Sequence, residues 1–109
     1  MPTKGEYLKE KLGNMARWVE QELGKENLPV DVIAGINNRS EQEASVFAGA
    51  LLSNKTMVTQ RNWSGLLYAV TNSNLPAEVQ TIMQLVYAHE PMHDKFWRYM
   101  DLFCEVAEQ

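Results

Sequence analysis

The segment His89-Glu-Pro-Met-His93-Asp-Lys-Phe-Trp-Arg-Tyr-Met-Asp-Leu-Phe-Cys-Glu-Val-Ala107 decides how this chain is read. Its first five residues have the zinc-protease spacing His-Glu-x-x-His. In a continuous helix that spacing puts two imidazoles on one face to hold a metal, with the glutamate beside the bound water. Pro91 removes the continuity. It has no backbone N–H and its ring collides with the preceding turn, so it belongs at a helix start. His89 therefore falls in a connection, and His93 opens a new helix.

That last helix is apolar over more than half its circumference: Met92, Phe96, Trp97, Tyr99, Met100, Leu102, Phe103, Cys104, Val106 and Ala107. A helix on the surface of a small domain needs an apolar stripe only about 100° wide. This one must be central, or buried on two sides, and a second copy of the chain can supply the second side. On the dimer reading, Trp97 and Leu102, at the two margins of the stripe, reach the partner. Asp94, Arg98, Asp101, Glu105 and Glu108 form the solvated strip, with Asp94 and Arg98 spaced as a helical ion pair.

The helical period continues towards the N-terminus. Thr3-Lys-Gly-Glu6 reads as a capping box ahead of Leu8, Leu12, Met15, Ala16, Val19 and Leu23, and Gly24 reads as the stop. Ser40-Glu-Gln-Glu43 is a second box, opening a helix through Ala44, Phe47, Ala48, Leu51 and Leu52. A third helix starts near Thr59 and carries Trp63, Leu66, Leu67 and Val70. A fourth follows Pro76 through Val79, Ile82, Met83 and Val86. Between Leu28 and Ile36 a short helix begun by Pro29 competes with an extended segment, though a lone strand has nothing to pair with. The fold expected is all-α: residues 1–109 as one compact bundle of five to six short amphipathic helices.

Composition bounds the function. The chain has 109 residues, 45% hydrophobic and 22% charged, the balance of a soluble globular domain. No apolar run reaches the roughly 18 residues of a membrane span. The opening residues lack the basic-then-apolar order of a secretory signal. A single cysteine, Cys104, allows no internal disulfide and suits a reducing compartment, so a cytoplasmic location is expected. A net charge of −4, with lysines and arginines scattered along the sequence, disfavours broad nucleic-acid binding.

Other chemistries fare little better. Glu90-x-x-His93 is also the di-iron spacing, but a ferritin-like site needs two such pairs and two further glutamates. Pro91 puts Glu90 at a helix cap, where a carboxylate is explained by backbone N–H groups. Cys104 lies on an apolar helix face, where thiols behave as small hydrophobes. There is no Gly-x-Ser-x-Gly elbow. Outside the core stripes, Tyr7 and Trp18 share a face of the first helix and Tyr68 points away from the Trp63 face of its own. Aromatics in such positions are enriched at interfaces.

Four segments follow one order: Phe47-Ala-Gly-Ala-Leu-Leu52, Val58-Thr-Gln-Arg61, Val86-Tyr-Ala88 and Phe96-Trp-Arg-Tyr-Met-Asp-Leu-Phe103. In that order they resemble the motifs of the small helical subunit of type III CRISPR effector complexes. The resemblance implies a helical subunit that stacks along a complex and contacts nucleic-acid backbone through basic residues. His89-Glu90 stands where that family has Gly-Arg after the tyrosine, and much of the family's middle segment has no counterpart. On this alternative the contacts to consider are Lys55 and Arg61.

The sequence thus favours a non-catalytic helical interaction protein: a homodimer, with no cofactor or metal, and with Trp97, Leu102, Tyr7, Trp18 and Tyr68 as interface residues. Another protein is a further possible partner; nucleic acid and membrane are disfavoured. The enzymatic alternative is a metal-dependent hydrolase or di-iron protein using His89, Glu90 and His93. A small-molecule pocket lined by Met, Trp and Tyr is a third.

Overall fold

The computed structural model describes residues 2–29, 31–73 and 75–109. Val30, in the ambiguous segment above, and Asn74, in the loop before Pro76, lie outside the described residues. Among the described residues there are seven α-helices and no strand. They are α1 (Lys4–Leu23), α2 (Val32–Asn37), α3 (Glu41–Ser53), α4 (Lys55–Thr59), α5 (Trp63–Thr71), α6 (Ala77–Tyr87) and α7 (His93–Glu108), with 3₁₀ turns at Lys25–Asn27 and Glu90–Met92.

The all-α class holds, but the count exceeds the expected five to six because two short helices, α2 and α4, add to the five longer ones. Within the ambiguous Leu28–Ile36 segment, the chain is helical from Val32, later than the start expected at Pro29. Val32 and Ile36, four residues apart on one face of α2, are buried against the core, and α2 packs on α1 and α6. A strand there would have had no partner for its backbone.

Side-chain caps start three of the helices, α1, α3 and α5. The Ser40 hydroxyl accepts from Glu43 N–H at 3.1 Å, and the Glu43 carboxylate accepts from Ser40 N–H at 3.2 Å, so the box closes in both directions. At Thr3 only the hydroxyl half forms, accepting from Glu6 N–H. Gly24 ends α1 at φ 86°, a conformation strained for any residue with a Cβ. Gly5 serves packing: a Cβ there would lie 3.1 Å from the Glu41 Cβ, so glycine lets α1 and α3 approach.

The helix expected from Thr59 starts later, at Trp63. After α4 the chain makes a Schellman turn, with Asn62 N–H donating to Met57 O at 2.9 Å and Arg61 N–H to Val58 O at 3.1 Å. Asn62 then caps α5, its side-chain oxygen accepting from Gly65 N–H at 2.9 Å. Arg61 occupies the left-handed position of that turn at φ 53°, where glycine is usual.

α7 is the centre of the bundle. It packs on α1, α3, α4 and α6, and Phe96, Trp97, Met100, Phe103, Cys104 and Val106 are all buried within the one chain. Phe103 meets Phe47 of α3 edge to face at 5.4 Å. The wide apolar circumference is satisfied internally, so it no longer argues for a second copy. The Asp94–Arg98 pair expected on its solvated strip does not form. Asp101 is instead held by Arg61, and Glu108 by Lys55.

Candidate functional site

The His-Glu-x-x-His run is divided as Pro91 requires: α6 ends at Tyr87, Pro91 sits in the 3₁₀ turn, and α7 begins at His93. The two histidines have another task. The last carbonyls of a helix lack intrahelical partners, and at the end of α6 the imidazoles supply them. His89 Nδ1–H donates to Leu85 O at 2.8 Å. His93 Nε2–H is shared between Val86 O at 3.1 Å and Tyr87 O at 3.0 Å. Among the described residues no group of three or more His, Cys, Asp or Glu side chains could hold a metal ion. The spacing that resembles a zinc site is used here as a helix cap.

His93 belongs to an aromatic cluster centred on Trp63. Around that ring lie Phe96, stacked at 4.6 Å, His93 and Trp97 at 4.7 Å each, and Tyr87 at 5.3 Å. Arg61 closes the far side, its guanidinium 5.7 Å from the Trp97 ring. The same guanidinium grips Asp101 with both nitrogens, at 2.7 and 2.8 Å. That fork, more than any other contact, raises the Arg61 pKa.

The expected interface residues separate. Trp97 is only 4% exposed and Trp18 only 7%. Each ring spends its surface inside its own chain. Trp97 packs in the Trp63 cluster, and Trp18 lies against Tyr99 at 5.6 Å under the Lys95 ammonium. Tyr68 is the opposite case, 73% exposed on α5.

Tyr7 and Leu102, from opposite ends of the sequence, are brought together. They line a groove of about 420 Å³ between the start of α1 and the end of α7, with Pro2, Lys4, Glu105 and Val106. Both are half-buried against the core. Lys11 lies 5.0 Å from the Tyr7 ring on the α1 side. The pairing of Tyr7 with Leu102 has no signal in the sequence, because it depends on α1 and α7 running side by side.

Lys55 and Arg61, the two cations considered for nucleic acid, are both engaged. Lys55 Nζ is 2.6 Å from Glu108 Oε1, a contact that raises its pKa, and Arg61 is held by Asp101. Cys104 is 3% exposed, and burial pushes its thiol pKa up, away from nucleophilic use at neutral pH. No helix is long and apolar enough to cross a membrane among the described residues. Comparison with protein-family models, with curated proteins and with solved structures gave no match.

Proposed function

We propose that the chain acts by binding, not by catalysis, and that its partner is a second copy of itself held across the Tyr7–Leu102 groove. The observation that carries this reading is the convergence of Tyr7, Leu102 and Val106 at one surface. Tyrosine and leucine there offer apolar area on rigid helices, and ordering them costs little side-chain entropy. The rim carries Lys4 and Glu105, charges of opposite sign. A two-fold axis through the groove would let Lys4 of each copy meet Glu105 of the other, the self-complementarity that an isologous interface needs. Lys4 Nζ reaches the main-chain oxygens of Ala107 and Gln109 at the end of α7, which holds its ammonium at the groove.

The test is sedimentation equilibrium on the wild-type chain, on Leu102→Glu and on Tyr7→Glu, with circular dichroism to establish that each variant is folded. A wild-type dimer that both substitutions dissociate supports the reading. A wild-type monomer at high concentration overturns it, as does a dimer indifferent to both changes.

A further inference from the structure

Sulfur is unevenly shielded in this bundle. Met15, Met83, Met92, Met100 and Cys104 are all buried, at 4% exposure or less. Met57 of α4 differs: among the described residues it is the one sulfur-bearing side chain left half-buried at the surface. Its thioether rests on the first turn of α5. A Cβ added at Gly65 would collide with Met57 Sδ and would lie 3.0 Å from the Asn62 side-chain amide. The sulfur therefore packs on bare glycine backbone, beside the cap that starts α5.

The main chain of Met57 belongs to the same junction. Met57 O accepts the Asn62 N–H at 2.9 Å. The turn closed by that bond holds Arg61 in its left-handed conformation, with its guanidinium forked onto Asp101 of α7. Side chain and backbone of Met57 thus meet where α4, α5 and α7 are tied together.

We propose that Met57 is a site of reversible oxidation by hydrogen peroxide, and that its sulfoxide loosens the α4–α5 junction. A sulfur lone pair attacks one peroxide oxygen, forming the S–O bond as the O–O bond breaks. The departing hydroxide takes the proton from the transferred oxygen and leaves as water. Sulfur is oxidised by two electrons and peroxide is reduced by the same two. The product replaces a flexible apolar group with a polar one whose oxygen needs hydration. Packed on Gly65, the sulfoxide cannot be fully hydrated, so it moves off α5 and uncovers the turn. A thiol-dependent methionine sulfoxide reductase reverses the step: two thiols become a disulfide and the oxygen leaves as water. The Cys104 thiol does not compete, because it is buried and that burial raises its pKa.

The experiment treats the native wild-type chain and Met57→Leu with hydrogen peroxide at neutral pH, then maps tryptic peptides and records thermal melts by circular dichroism. Leucine keeps the volume and removes the sulfur. Trypsin releases Met57 in Thr56–Arg61 and Met15 in Leu12–Arg17, each peptide with a single methionine, so the two rates are read separately. The result expected is oxidation of Met57 about tenfold or more faster than of Met15. The wild-type Tm falls by about 4 °C or more, recovers with methionine sulfoxide reductase and dithiothreitol, and stays unchanged in Met57→Leu. Mapping and reduction use the wild-type chain alone, so they decide the question even where Met57→Leu folds poorly. Equal rates at Met57 and Met15, an unchanged Tm once Met57 is oxidised, a Tm that the reductase does not restore, or an equal fall in folded Met57→Leu each overturns the proposal.

Discussion

Arg61 gives the sharpest test of how tertiary contacts hold this bundle together. A non-glycine residue in the left-handed region costs about 1–2 kcal/mol, and here the cost is sustained because the side chain is pinned. Its fork to Asp101 joins side chains 43% and 47% exposed, so after solvent screening the pair contributes about 0.5–1 kcal/mol. The guanidinium over Trp97 adds roughly 0.5–1 kcal/mol. Arg61→Ala loses both and keeps the strain, for a net destabilisation of about 1–2 kcal/mol. Arg61→Gly loses both but relieves the strain, so it should be more stable than Arg61→Ala by about 1 kcal/mol. In a domain near this size that difference is roughly 4–8 °C in Tm. Urea denaturation followed by far-UV circular dichroism measures it, provided the m-values agree. Glycine no more stable than alanine at this position refutes the reasoning about the turn. A double-mutant cycle with Asp101→Ala that gives no coupling refutes the pin.

His93→Ala leaves the Tyr87 carbonyl without its donor, while Val86 O keeps the His89 N–H at 2.9 Å, and it strips a ring from Trp63; it should cost about 1–3 kcal/mol in the same assay. His93→Gln, which restores a donor, should recover part of the loss, and a neutral alanine variant would argue against the cap. Cys104 should resist maleimide labelling in the native state at neutral pH and react fully on unfolding; rapid native labelling would contradict its burial. Its thiol holds its proton to higher pH in the fold than in the unfolded chain. The stability this contributes is therefore fully present below the ordinary thiol value of 9.0 and is lost as pH rises through the folded value. Alkaline melts of Cys104→Ala should show a correspondingly shallower loss.

The sequence by itself determined what depends on neighbours along the chain. The helical class follows from the period of apolar residues, and the starts at Thr3 and Ser40 and the stop at Gly24 follow from caps completed within a few residues. Pro91 splits the His-Glu-x-x-His run for a covalent reason, its missing N–H and its ring, that no packing can override. The late start of α5 was also written locally, in Asn62 as a cap for Gly65 N–H, but the apolar stripe pointed to an earlier start. Only the tertiary structure decided what lies beside what. The breadth of α7's apolar face allowed two readings, a central helix or a dimer interface, because periodicity reports how much surface must be buried and not what buries it. Four surrounding helices bury it here, and with it Trp97 and Trp18, which stood outside or at the margin of their stripes. The same holds for charge. Arg61 finds Asp101, and Lys55 finds Glu108, across some forty or more positions of sequence. Electrostatic pairing falls off over a few ångströms, and those ångströms are set by how the helices cross, not by order along the chain.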